Sequence, residues 1–482
     1  MGPEFDRVIV IAPTRSTCVN LHHLVGLSSL PETLLMRECG AQLDKAIAEL
    51  PLGGFGIVAG TGSGKSAAIR HLCQKVLGVE QVNPGIVTLE HHANKSTLRK
   101  KVFVITPGVA LLWAKHGRIT DKDLIVLDEV HQTSEHLELT MALAKLVDCT
   151  FVWMSATIDP TVYEDYLDAR QVILCDTYDE AKRATVQNHF GISASEFVSY
   201  NIASIAAGQR GVAVFVPTRA EAEEIAEKHN DDHGVHDTFY HGGEPAEKLR
   251  AFIEGDIPRP YIIVMTSAGA SSLNISGLDT VVIVDEMYRE VIKGGQRRLV
   301  ARQLDANTIL QMAGRVDGRA IGGQVHILTR RELDLRELKP ETPSFVLGGA
   351  LEELAMTTAH LGIDARELDL IGAIDRDAYT AIFDRLVKRK LVVVNDGRPA
   401  LTELGRAVEK LPVDVAWGEL VVAAQKLEHD GLLRLVCLTA CTPDIYHLII
   451  RKTWRKLSDP LVVSGSDHLT RHNIVAEALR MF

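Results

Sequence analysis

Phe55-Gly56-Ile57-Val58-Ala59-Gly60-Thr61-Gly62-Ser63-Gly64-Lys65-Ser66, with Ala67-Ala68-Ile69-Arg70-His71-Leu72 behind it, decides the fold. The apolar run 55–58 reads as a buried strand, the glycines as a tight turn and 67–72 as the start of a helix. A strand, turn and helix in this order aim backbone N–H groups from the positive end of a helix dipole, which makes a cradle for phosphate. Gly60, Thr61, Gly62, Ser63 and Gly64 then wrap the β-phosphate, Lys65 reaches the β- and γ-phosphates, and Ser66 ligands Mg²⁺. Ala59 stands at the first glycine of the G-x-x-x-x-G-K-[ST] pattern, and a small residue fits there. The expected ligand is a nucleoside triphosphate.

Length and composition frame this turn. The 482 residues suffice for roughly three to four domains. A hydrophobic share of 46% with 24% charged residues belongs to an ordinary globular chain, not a disordered or membrane one. The net charge of -11 gives no global field for polyanions, so any nucleic-acid contact must come from local basic and backbone groups. Seven scattered cysteines form no C-x-x-C pair, which indicates neither a zinc site nor a disulfide framework and favours a reducing, cytoplasmic compartment. No membrane span or signal peptide is expected, and residues 1–5 read as a cloning remnant on a chain cut from something longer.

Outward from the turn, strands are expected at 7–12, 102–106, 124–128 and 151–154, with helical stretches between them. The grammar restarts near residue 212, with strands at 212–216, 261–265, 281–284 and 325–328. Alternation of this kind predicts parallel sheets covered on both faces. From about 345 helices dominate, broken by a small hairpin at Val394-Asn395-Asp396-Gly397. The fold class is therefore α/β, with two similar parallel-sheet domains in tandem followed by a mainly helical C-terminal region.

Three more stretches carry chemistry. Asp128-Glu129-Val130-His131 ends a strand beside the phosphate loop, where Asp128 can hold the Mg²⁺ shell and Glu129 can take a proton from water. Ser155-Ala156-Thr157 follows the next strand, and its hydroxyls can bond the acidic loop and relay its state, while His131 can bond across a domain interface. In 311–319, Gln311 can position water, and Arg315 and Arg319 can act as arginine fingers from the second domain. Each has a bland alternative, a solvated loop or helix face. Repeated Gly-Arg is a poor choice for such a face.

In this order the four motifs resemble the DEAH/RHA group of superfamily-two helicases, in its Asp-Glu-Val-His spelling. Thr106-Pro107-Gly108-Val109 resembles motif Ib, Phe215-Val216-Pro217-Thr218-Arg219 motif IV, and 266–275 motif V. The resemblance implies that Thr106, Gly108, Thr218, Arg219, Thr266, Ser267 and Asn274 hold the backbone of one strand without reading bases. It implies a strand-separating hairpin at 288–302, a winged helix over 345–413 and a ratchet-like helical module over 414–482. By the same resemblance the two motor domains are RecA-like and would span 6–180 and 181–344. The implied activity is ATP-dependent 3′→5′ translocation or unwinding on single-stranded RNA by a monomer, with Mg²⁺. Other nucleoside triphosphates stay open, as do single-stranded DNA and a protein activator. A nucleic-acid clamp with a degenerate motor is the rival from another class.

Two stretches depart from the family. Motif VI carries one residue more than Gln-x-x-Gly-Arg-x-Gly-Arg, because Val316-Asp317 stands where one residue is expected, and this leaves the finger's identity open. Motif Ia is missing after the phosphate-loop helix, whereas Ala12-Pro13-Thr14-Arg15 follows a good strand upstream of it. Either the N-terminal strand inserts into the first sheet and brings Thr14 and Arg15 to nucleic acid, or it is an extra edge strand.

Overall fold

The computed structural model describes residues 5–481 except 31, 61, 89, 157, 177, 230–231, 243, 245, 271–274, 294–295, 344, 412, 442–458 and 465. Two compact units emerge, one of residues 1–346 with 370–372 and one of 347–369 with 373–482. Expected Thr61, Thr157 and Asn274 lie outside the described residues.

The first unit holds two parallel sheets. The first contains β1 (Arg7–Ile11), β2 (Phe55–Ala59), β3 (Pro84–Val87), β4 (Val102–Ile105), β5 (Asp123–Leu127), β6 (Thr150–Ser155) and β7 (Val172–Cys175). Their order is β3-β4-β1-β5-β6-β2-β7. The N-terminal strand is thus central, not at an edge. It pairs with β4 from Val8 opposite Val102, and with β5 from Arg7 opposite Asp123. Its alternation explains the place: Val8 and Val10 enter the core on one face, Ile9 and Ile11 the core on the other. A strand apolar on both faces is stable only between two covered faces. Phe5, at the end of the expected remnant, also packs into the first of these cores.

An ion pair fixes the register. Arg7 Nε lies 2.7 Å from Asp123 Oδ1 and Nη2 2.6 Å from Oδ2, and Nη2 also donates to the Arg118 carbonyl at 2.7 Å. Asp123 is fully buried, so a slipped register would strand its charge.

The second sheet contains β8 (Thr185–Phe190), β9 (Gly211–Phe215), β10 (His236–Tyr240), β11 (Tyr261–Met265), β12 (Thr280–Val284) and β15 (Gln324–Thr329) in the order β10-β11-β9-β12-β15-β8. Between β12 and β15 the chain makes the antiparallel ribbon β13 (Met287–Lys293) and β14 (Gln296–Arg302), close to the expected 288–302 hairpin. The second unit is helical, apart from the ribbon β16 (Val392–Asn395) and β17 (Arg398–Leu401). Among the described residues no helix is long and apolar enough to cross a membrane.

Candidate nucleotide site

The phosphate loop leaves β2 and enters the helix Lys65–Leu77. Gly62 (φ 75°) and Gly64 (φ 107°) adopt left-handed backbone that a side chain would strain. Space excludes one as well, since a Cβ on Gly64 would lie 2.3 Å from the Thr33 side chain. Thr33 caps the helix Leu34–Ala48, whose Leu35 N–H donates to the Ser63 carbonyl at 2.9 Å. That helix therefore braces the loop from behind. Lys65 is buried, with Nζ 3.0 Å from the Ala59 carbonyl and 3.5 Å from Glu129 Oε1. Ser63 Oγ is buried without a hydrogen-bond partner.

Asp128 and Glu129 follow β5, and both are buried. The Asp128 N–H donates to the Ile11 carbonyl at 2.9 Å and the Val130 N–H to Met154 at 3.0 Å, so β1 and β6 hold the acidic turn between them. Glu129 sits at φ 48°, a left-handed conformation rare outside glycine that the neighbouring bonds must sustain. Its Oε2 lies 3.5 Å from His131 Nδ1, without a hydrogen bond of its own. His131 Nδ1 is 2.8 Å from Ser155 Oγ, so the expected link between the acidic loop and Ser155 exists as a contact.

Burial and the adjacent Glu129 push the Asp128 carboxyl up, against the pull of Lys65. Burial also pushes Glu129 up, but Lys65, His131 and Arg315 outweigh it and hold that carboxyl below its usual range. Burial drives His131 down, against the pull of Glu129.

The second sheet domain supplies the remaining groups from the helix Ala306–Ala313 and the turn after it. Gln311 is buried beside His131 and raises the ring's basicity, yet neither Gln311 Nε2 nor His131 Nε2 has a well-formed hydrogen bond. The two arginines divide their partners. Arg315 donates to the Ala270 carbonyl and acts electrostatically on Glu129. Arg319 faces the phosphate loop, its Nη1 being 2.7 Å from where a Cβ on Gly62 would sit. Burial lowers both guanidinium groups to about 10, so both remain charged at neutral pH. A cavity of about 400 Å³ opens beside them, walled by Ala59, Gly60 and Ala156 on one side and by Gly314, Asp317 and Arg319 on the other.

These features fit a magnesium-bound triphosphate. The loop turns on two left-handed glycines, buried Ser63 Oγ lacks a hydrogen-bond partner, and buried groups of opposite charge, Lys65 against Asp128 and Glu129, converge. Ser66, at the first turn of the helix, is half-buried. Ala270 could not have been found from sequence, because its part is played by a backbone carbonyl.

The expected strand-holding residues lie at carboxyl ends of neighbouring strands, where open α/β sheets expose their binding loops. Thr106 and Gly108 follow β4, and Thr14 and Arg15 follow the adjacent β1. Thr14 caps the helix Arg15–Gly26, and exposed Arg15 pairs with Glu90 at 2.5 Å. Thr266 and Ser267 follow β11, and Thr218 and Arg219 follow the adjacent β9. Thr218 accepts from the Glu221 N–H at 3.1 Å, which leaves Arg219 exposed at the head of its helix.

No family model matches this chain, and no curated protein matches it in sequence. Solved structures do. The Escherichia coli DEAH/RHA helicase HrpB is similar at a TM-score of 0.65 and 17% identity over 93% of this chain and 61% of that one. A second structure, of the E. coli DExH-box NTPase HrpB, gives 0.62 and 18% over 94% and 59%. At such identity the likeness is one of fold: this chain has the fold of those proteins and spans about three-fifths of their length.

Proposed function

We propose that this chain is a nucleoside-triphosphate-driven motor of the DEAH/RHA helicase type, which moves 3′→5′ along single-stranded RNA. The observation that carries the reading is the meeting of two domains at one phosphate loop: Arg319 over Gly62, and Arg315 toward Glu129. A site completed only when a second domain arrives lets hydrolysis be coupled to domain movement. Fold likeness and the order of motifs support the helicase type. RNA and polarity come from the motif resemblance.

Ser66 and Asp128 would hold a magnesium ion, which neutralises phosphate charge when bound. Lys65 and the loop N–H groups bind the phosphates. Glu129, held ionised by Lys65, His131 and Arg315, accepts the proton of attacking water, and Gln311 orients that water. Arg319 offsets charge developing on the transferred phosphoryl group, and Arg315 sets the Glu129 carboxylate. Thr14, Arg15, Thr106, Gly108, Thr218, Arg219, Thr266 and Ser267 grip the strand.

The test is steady-state ATP hydrolysis by wild type and Glu129→Gln, with and without single-stranded RNA and single-stranded DNA. Stimulation by RNA, with a loss of about 10²–10⁴-fold in Glu129→Gln, is expected. Equal stimulation by DNA would overturn the choice of RNA. Absence of hydrolysis under every condition would overturn the motor and favour a clamp.

A further inference from the structure

The extra residue of motif VI is not absorbed as a bulge on the surface. Val316 is wholly buried in the core of the second sheet domain, and this turns Asp317 toward residues 178–184 of the connection between the two sheets. Asp317 Oδ1 accepts the Ala184 N–H at 2.8 Å and the Tyr178 hydroxyl at 3.3 Å. Arg336 grips the same carboxylate, with Nη1 2.6 Å from Oδ2 and Nη2 3.2 Å from Oδ1. Its two nitrogens also donate to the Tyr178 hydroxyl at 3.2 Å and the Ala184 carbonyl at 2.9 Å.

Gly318 completes the seam. Its N–H donates to the Lys182 carbonyl at 3.1 Å and its carbonyl accepts the Asp179 N–H at 3.3 Å. At φ +72°, with a Cβ position 2.5 Å from the Tyr178 ring, only glycine fits there. The next residue is Arg319, the arginine that faces Gly62.

On the footing of the motor reading, we infer that Asp317 is a positioning residue: with Arg336 it latches the turn that carries Arg319 to the interdomain connection. The finger's reach over the phosphate loop is thereby set by the same segment that must bend when the domains move. The connection enters the nucleotide cavity through Tyr178, and Asp317 and Arg336 line it as well. Contact with nucleotide is not needed for this role, because the latch acts through the backbone of 317–319.

The experiment compares wild type, Asp317→Asn, Arg336→Met, Arg319→Ala and the Asp317→Asn/Arg319→Ala pair in RNA-stimulated ATP hydrolysis. Asp317→Asn and Arg336→Met should each lower kcat by about 10²-fold, the effect of a misplacement on the order of 1 Å, with KM for ATP held within about twofold. In the Arg319→Ala background Asp317→Asn should cost nothing further. An additive loss there would overturn the inference. Amide exchange supplies a second readout that does not need hydrolysis. In wild type the amides of Asp179, Ala184 and Gly318 should exchange slowly as one group, and Asp317→Ala should release all three while the amides of β9 and β12 stay protected. Retained protection of Ala184 and Gly318 in that variant would overturn the latch, whereas a wild type that never hydrolyses ATP overturns the motor reading alone.

Discussion

Replacing Arg7 by Met removes the only side chain that the described structure places in an ion pair with Asp123. The carboxylate is fully buried and would keep just the Thr120 N–H at 2.9 Å and the Thr120 hydroxyl at 3.3 Å. An uncompensated buried charge costs about 3–5 kcal/mol. Those two bonds remain, and Arg7 is itself 30% exposed, so the loss should be roughly 2–3 kcal/mol. Urea unfolding followed by far-ultraviolet circular dichroism should show the first transition moving to lower denaturant. Amides of β1 should exchange faster than those of the second sheet. Adding Asp123→Asn to Arg7→Met should recover most of the loss, since a neutral amide leaves no stranded charge. A loss below about 0.5 kcal/mol would refute the reasoning, because it would mean that β1 is not held between β4 and β5 by this pair.

Three further outcomes are expected. Gly64→Ala, at φ 107° and against Thr33, should weaken binding of a fluorescent nucleotide analogue by about tenfold or more, measured by titration. Arg319→Ala should lower kcat by about 10³-fold or more and leave nucleotide affinity nearly intact, the signature of a group that acts on the transition state. His326, pressed down to about 4 by burial and by the neighbouring His189 and Arg210, must be neutral in the folded second sheet domain. Its ordinary value of 6.5 applies once the chain unfolds, so stability is present above that value and is lost as pH falls from about 6.5 toward 4. Partial exposure reduces the effect to on the order of 1–2 kcal/mol, and thermal melts of wild type and His326→Gln across that window should diverge in slope.

Most of the fold was legible because buried parallel strands announce themselves as apolar runs. β1, β4, β5, β6, β9, β11 and β12 are all of this kind. The shorter or more polar strands escaped. β3 is only Pro84-Gly85-Ile86-Val87, and edge strand β8 (Thr-Val-Gln-Asn-His-Phe) carries polar residues on a half-solvated face. For the candidate site, residue types and order led to Lys65, Asp128, Glu129, Gln311 and both arginines. Order along the chain could not say which arginine meets which partner, because that depends on how one additional residue turns the backbone after Ala313. Arg336 and the Ala270 carbonyl were beyond reach for the same reason: each acts on a residue far away in sequence.

The central place of β1 also changes how Thr14 and Arg15 can be tested. Deleting the N-terminal segment would strip a strand from between β4 and β5 and remove the bond from Ile11 to Asp128, so lost activity would say nothing about nucleic acid. Point substitutions separate the two roles. Arg15 is half-exposed and its side chain bears on Glu90 alone among the ion pairs described for it, so Arg15→Ala should leave the melting temperature unchanged. If Arg15 grips a phosphate, the variant should bind single-stranded RNA more weakly for every sequence tried, and its salt slope should fall by about 1. Glu90→Gln should do the reverse by freeing the guanidinium. An unaltered slope in both variants would leave β1 as a strand that supports Asp128, and would remove Thr14 and Arg15 from the nucleic-acid track.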